Sequence, residues 1–433
     1  MFSDYVQLDQ KNPSLLANPE QKLRSTFRLS KTNVTIANTL RRAIISDAPS
    51  VAFRTEPAEK SDVVISVNTT PLVNEMIALR IGLIPINADP MTFNSDEYEF
   101  ELDKQNNGTE IIDVTASDFK VYKHNPENPL ERISVPTESF FPPDPITKET
   151  VLITRLRPKW NPTAPAERIS LKAKATVSSG RENVRWSPTS QCSYEYTRLD
   201  KYPQDESIQN YIQETLHAWL KLNKKIVDPK NPKNDDEKKK IDMFTREFHT
   251  MEVQRCYFKD PKTQEPNDFT FFVESVGVQP VPQIVDAGLS SIIALVERYQ
   301  NLDTEMPSTM RLQQGDARFP CIDVFFTHED HTLGNLLSTY LEEHNVKNMD
   351  EMQSEDEPTL TYVGYKIPHP LRPEMFVRIA LAKLKDNIVV GAEEDIETLK
   401  AGARYAVANA CRKLRDIFQS MRQEWNKLHI KSA

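Results

Sequence analysis

The sequence predicts an α+β fold in which one dimerisation-type unit occurs twice. The two copies are expected to pack pseudo-symmetrically through paired helices, with a β-rich domain inserted in the first. Three observations carry this expectation. Residues 33–44 (NVTIANTLRRAI) return as residues 330–341 (DHTLGNLLSTYL), with Thr35/Thr332, Ile36/Leu333, Ala37/Gly334, Asn38/Asn335 and Leu40/Leu337 in register. Each copy is followed, further along, by a strand-like run and a long apolar-striped helix. Between the first copy and its own run lies a long segment of different character.

The repeated stretch reads as a capped helix in both places. Ile36, Ala37, Leu40, Ala43 and Ile44 form one stripe; Leu333, Leu336, Leu337, Tyr340 and Leu341 form the other. Their spacing of three and four residues places them on one helix face. Asn33 and Asp330 hold equivalent N-cap positions, where a side-chain oxygen satisfies an orphan backbone N–H.

The remaining elements follow in chain order. Residues 22–29 alternate and read as the first strand, with Leu23, Phe27 and Leu29 on one side. The first repeat helix runs to about Ser46 and Pro49 stops it. Residues 61–68 are a strand, and 75–80 a short helix ended by Gly82 and Pro85. Beyond Met91 come alternating Tyr98, Phe100 and Leu102, an Asn-Asn-Gly turn, and a proline-rich stretch, 126–145, expected to be a rigid surface loop. Ile169, Leu171, Ala173, Ala175 and Val177 alternate strictly. Residues 208–222 read as helix, and the charged run 224–240 as a solvated loop, since its acidic and basic residues interleave. Residues 269–276 are a strand, followed by a helix over 282–299 striped by Val285, Leu289, Ile292, Val296 and Tyr299. Residues 303–318 lack periodicity and read as a linker. The second unit restarts with a strand over 319–327. An acidic loop over 345–358, strands at 359–366 and 375–381, and a helix to about Leu428 complete it. The stripe of that last helix is Ala403, Val407, Ala410, Leu414, Ile417, Met421, Trp425 and Leu428.

The expected division is therefore 1–51 with 263–302 for the first unit and 52–262 for the insertion. Residues 303–318 are the linker and 319–433 the second unit. Half-to-half packing is assigned to Ile36, Leu40, Ile44, Leu333, Leu336, Leu337, Tyr340, Leu341, Val285, Leu289, Ile292, Val296, Leu414 and Ile417.

Composition narrows the function. The chain has 433 residues and a formal charge of −9, from 54 basic and 63 acidic residues, so no general electrostatic grip on nucleic acid is indicated. Ten glycines and 30 prolines favour rigid turns over flexible ones. The four cysteines, Cys192, Cys256, Cys321 and Cys411, lie too far apart for a CxxC motif and read as reduced thiols. The opening MFSDYVQLDQ has neither the basic start nor the apolar run of a secretory signal, and no apolar stretch approaches the roughly 18 residues that span a bilayer.

No Walker loop, GxGxxG, GxSxG or HExxH occurs. His328-Glu329-Asp330-His331 offers metal-ligand types, but it straddles a strand end and an N-cap that already occupies Asp330. His369 stands between two prolines with no nucleophile or carboxylate partner. Neither a metal nor a cofactor is expected. Arg41 and Arg42 fall off the helix stripe, and the second copy has Ser338 and Thr339 there. They are either two solvated arginines or a fork held out for a partner's carboxylates or carbonyls, and in both readings folding does not need them.

With these residues set out, a resemblance emerges. NTLRRAIISDAP and NEMIALRIGLIPI resemble the N-terminal domain of the RNA polymerase alpha family, more closely the third-largest subunit of eukaryotic RNA polymerase II and its archaeal counterpart. ITRLRP, ISLKAKATV and WSP resemble that subunit's inserted domain, and FTFFVESVG its return to the dimerisation domain. EDHTLGNLLSTYL with VGYKIPHPL is similar to the small eleventh subunit. The resemblance implies two alpha-like units joined in one chain, as in polymerases of large nucleocytoplasmic DNA viruses. It implies a non-catalytic assembly platform that binds the second-largest subunit, then the largest, together with small adaptor subunits. Placement would be intracellular: virion and host cytoplasm for a viral chain, otherwise the nucleus. Arg41, Arg42, Arg80, Gly82 and Pro85 are the implied contacts to other subunits. Sequence-specific DNA binding and membrane association are not implied, and the zinc loop of cellular relatives finds only Cys192 and Cys256 in its region. A stand-alone enzyme using the second-half histidines and a nucleic-acid-binding module are the rival readings.

Overall fold

The computed structural model describes residues 8–10, 23–125, 128–161, 163–201, 206–224, 226, 235–260, 263–315, 321–346, 360–381 and 393–430. Seven α-helices occur among them: α1 (Val34–Ser46), α2 (Asn74–Gly82), α3 (Glu206–Lys224), α4 (Asp235–Glu247), α5 (Val281–Glu297), α6 (His331–Asn345) and α7 (Glu393–Ile430).

Two antiparallel four-stranded sheets pack with α1, α5, α6 and α7. The first has the order Leu8–Gln10, Arg24–Ser30, Asp268–Ser275, Thr189–Tyr196; the second Met310–Gln314, Ile322–Thr327, Glu374–Leu381, Leu360–Lys366. Alternation aims Phe27 and Leu29, then Phe269, Phe271 and Val273, at the helices, all of them buried. The register sets Phe27 opposite Phe271, and their rings stack at 5.0 Å.

The helices then cross between the sheets. Trp425 on α7 meets Phe27 of the first sheet edge-on at 4.9 Å, and its indole N–H donates to the Pro282 carbonyl at 2.9 Å. Tyr299, just past α5, meets Phe326 of the second sheet edge-on at 5.1 Å. Both sheets and helices α1, α5, α6 and α7 thus share one buried apolar cluster. A second cluster fills the strands between 51 and 175, and a third lies between α3 and α4.

Several segments differ from the sequence expectation. Thr189–Tyr196, expected within the insertion, pairs with Asp268–Ser275 in the first sheet, because Cys192 and Tyr194 alternate onto the core that Phe269 and Phe271 also face. The insertion is moreover not wholly β-rich, since α3 and α4 hold their own core. Residues 310–314, expected as linker, form an edge strand with Met310 opposite Phe326 and buried. Only Met310 and Leu312 turn inward, which is too short a period to read. Asn128–Val135, expected as loop, pairs with Lys120–Asn125. Asp235 to Lys240, expected as loop, opens α4, where three acidic residues in the first turn favour the helix N-terminus. Leu428 is 40% exposed, outside the α7 stripe. Most of the expected acidic loop 345–358 and the end of the expected linker lie outside the described residues.

Candidate docking interface

The two repeat helices meet through polar side chains beside their stripes. Both caps are made: Asn33 Oδ1 accepts from the Ile36 amide at 2.9 Å, and Asp330 Oδ1 from the Thr332 amide at 2.7 Å. Thr35 and Thr339 share a hydroxyl hydrogen bond at 3.1 Å, and Arg42 Nε donates to Thr332 Oγ1 at 2.9 Å. The start of each helix therefore lies beside the end of the other, and the pair runs antiparallel. Position 42 matches 339 and position 35 matches 332, so both bonds join the same two repeat positions with roles exchanged. All fourteen residues assigned to half-to-half packing, Ile36 to Ile417, fall in the shared buried cluster.

Arg42 turns toward the facing helix. Besides Thr332 it reaches the Asp330 carboxylate at 3.2 Å. Arg42 follows Thr35 by two turns, so it lies on the helix face that meets α6. The sequence reading, a solvated arginine or a fork for a partner, did not include these contacts within the chain.

Arg181, which sequence reasoning missed, joins the same spot from the segment after Gly180. Its guanidinium pairs with Asp47 and with Asp330, the latter at 3.2 Å, while its amide donates to the Ser46 carbonyl at 2.9 Å. Gly180 beside it leaves no room for a side chain: an added Cβ would lie 2.7 Å from the Ile45 carbonyl oxygen. Burial alone would raise the Asp330 pKa, yet the Thr332 amide and hydroxyl, with Arg181 and Arg42, hold it below the usual value. Glu329 differs. It accepts from the Tyr299 hydroxyl at 2.8 Å and from Arg298 at 3.2 Å, and burial pushes its pKa up.

The His-Glu-Asp-His run is thereby dispersed. Glu329 faces α5, Asp330 caps α6, and His331 Nδ1 lies 3.2 Å from the Tyr365 hydroxyl. His369 Nδ1 accepts the Leu371 amide at 3.1 Å. Among the described residues no three His, Cys, Asp or Glu side chains converge as metal ligands, and no helix is long and apolar enough to cross a membrane.

A different surface opens on α2. Its buried face carries Ile77 and Ile81, whereas Val73, Met76, Leu79 and Leu83 form an exposed row, 58%, 52%, 41% and 65% accessible. Arg80 lies on this open side and donates to the Leu152 carbonyl at 2.9 Å. Pro85 is half-buried. Gly82 is buried, and an added Cβ would stand 2.5 Å from Arg185 Nη1. That guanidinium donates to the Phe53 carbonyl at 3.2 Å, to Thr55 and to Glu56. Gly82 thus gives space to an internal arginine instead of touching a partner itself. Arg41, half-buried, holds Asn38 Oδ1 through Nε at 3.0 Å and borders Thr189–Tyr196.

Sheet-and-helix units with antiparallel repeat helices and an unpartnered apolar face define a dimerisation-type scaffold. Sequence comparison places the chain more closely. It belongs to the RNA polymerase Rpb3/Rpb11 dimerisation domain family, matched over residues 26–296 and again over 321–424. DNA-directed RNA polymerases IV and V subunit 3B of Arabidopsis thaliana is 30% identical over 187 residues, 39% of this chain and 52% of that protein. The Schizosaccharomyces pombe DNA-directed RNA polymerase II subunit RPB3 is 26% identical over 306 residues, 66% of this chain and 85% of that protein. The subunit Rpo3 of Pyrococcus horikoshii is 22% identical over 286 residues, 64% and 92% respectively. The chain thus spans about half of the first relative and most of the other two.

Proposed function

We propose that this chain is the alpha-like assembly platform of a multisubunit DNA-directed RNA polymerase, with both halves of the alpha-like dimer joined. It catalyses nothing itself; the large subunits carry nucleotidyl transfer. The first unit comprises the first sheet with α1 and α5, and the second the second sheet with α6 and α7. The strands between 51 and 175 make a domain inserted in the first. The halves are related pseudo-symmetrically. Supporting this are the exchanged bonds Arg42–Thr332 and Thr35–Thr339 and the reciprocal ring contacts of Trp425 and Tyr299. The joining is further supported by two separate family matches in one chain, whereas 92% of the archaeal relative aligns with only 64% of it. A large nucleocytoplasmic DNA virus is the source we assign to such a fusion, with placement in the virion and host cytoplasm.

The exposed apolar row of α2 carries the docking assignment. Four large side chains on one short helix and its two caps, flanked by Arg80, form the kind of patch that marks an interface. We assign it, with Pro85, to the second-largest subunit, the largest and the small adaptors joining afterwards. Co-expression with the two large subunits tests this. The wild-type chain should emerge with both in equal amounts, and Met76→Asp with Leu83→Asp should lose them while its thermal transition stays in place. Retention by the variant, or a wild-type chain that purifies alone, would overturn the assignment. Neither rival reading draws support from the dispersed histidines or from a charge of −9.

A further inference from the structure

Strand Thr189–Tyr196 ends the first sheet, with no strand beyond it among the described residues. The Thr197 amide donates to the Asp268 carbonyl at 3.0 Å. Antiparallel ladders alternate, so the pairs Glu195–Thr270 and Ser193–Phe272 share that inward pattern. Cys192 and Tyr194, between and beside them, turn their backbone N–H and C=O to the open edge. A groove of about 460 Å³ runs along that edge, lined by the five consecutive residues 192–196 and by Arg41 of α1. Lining by consecutive residues is what a strand's edge presents, since a sheet face would contribute alternate ones.

Charge selects the occupant. Arg41 Nε is held by Asn38, and among the described residues its two terminal nitrogens have no hydrogen bond or ion pair. Cys192 and Tyr194 turn their side chains into the core under α1, so the groove wall on that side is Arg41. Glu195 alternates to the opposite face. An extended chain in the groove would therefore find four main-chain bonding groups at 192 and 194, and one half-buried cation on the α1 side.

We propose that this edge is a strand-addition site for an extended segment of a partner polymerase subunit, one bearing an acidic side chain that pairs with Arg41. The proposal rests on the subunit reading above. At roughly 3.3 Å per residue the edge takes a segment of about five residues. Such a short strand gives register and an anchor for a tail, while α2 remains the main contact.

Residue-resolved amide exchange of the full chain, free and in the complex with its two large subunits, is the test. The amides of Cys192 and Tyr194 should exchange about tenfold or more slower in the complex, with those of Ser193 and Glu195, already in the ladder, much less affected. Arg41→Glu should abolish the added protection while the complex still forms, and Arg41→Lys should retain part of it. A complex that forms normally with unchanged exchange at Cys192 and Tyr194 would overturn this proposal alone. Protection that survives Arg41→Glu would overturn the acidic occupant. Failure of the wild-type complex to form would remove the subunit reading and this site with it.

Discussion

Arg42 donates to a hydroxyl and a carboxylate of the facing helix, whereas Arg41, one residue earlier, holds only Asn38 on its own helix. The Arg42–Asp330 pair is 39% and 34% exposed, so solvent screens it to at most about 1 kcal/mol, and the bond to Thr332 adds about 1 kcal/mol or less. Arg42→Ala should therefore cost about 1 kcal/mol in chemical denaturation, and Arg41→Ala no more than about 0.5 kcal/mol. Equal costs would mean that the seam bonds contribute nothing. Glu329 supplies a pH dependence. In the unfolded chain it ionises near its ordinary 4.5, but burial raises that value in the fold. The folded state then holds the proton longer, and stability falls as pH rises from 4.5 through the raised value. Asp330 acts in the opposite sense: its contribution is present above 3.8 and is lost as pH falls through its lowered folded value. Denaturation of wild type and Glu329→Gln across this range should show the decline above pH 4.5 flattened in the variant.

Close helix contact depends on a small residue where α5 meets α1. Gly288 on α5 faces Ile44 of α1, and an added Cβ would lie 3.1 Å from Ile44 Cγ1, 3.2 Å from its N and 3.3 Å from its Cα. Two of those atoms are backbone and cannot rotate aside. Gly288→Val should cost about 2 kcal/mol despite removing a helical glycine, because overpacking exceeds the gain in propensity. A variant as stable as wild type would show that α1 and α5 separate freely. Leu337 on α6 has no exposed surface and belongs to the shared cluster. Leu337→Asp buries a charge without a partner and should cost at least about 3 kcal/mol, read from the denaturation midpoint.

The two halves bury what neither covers alone. The α7 residues Ala403, Val407, Ala410, Leu414, Ile417, Met421 and Trp425 lie in the cluster with α5 and the first sheet. Residues 318–433 without the rest would present that stripe to water, and an apolar patch of such length drives association. Expression of this fragment should give insoluble or self-associating material. A monomeric fragment with a sharp thermal transition would contradict it. Arg181 extends the same interdependence, since it grips the end of α1 and the cap of α6 together.

The periodic features are legible in the order of residues alone: both repeat helices, their caps at Asn33 and Asp330, and the stripes of α5 and α7. A stripe needs only the local geometry of its own helix, so spacing along the chain suffices to find it. What covers each stripe was decided by the tertiary structure. Arg42 and Arg181 find carboxylates far away in sequence, Gly82 and Gly288 make room for distant side chains, and Thr189–Tyr196 joins a sheet whose other strands are remote. The sequence by itself determined which faces are apolar and that one unit occurs twice. The antiparallel seam, the inward turn of Arg42 and the open edge beside Arg41 arise only when chain-distant surfaces meet, and no local period encodes such a meeting.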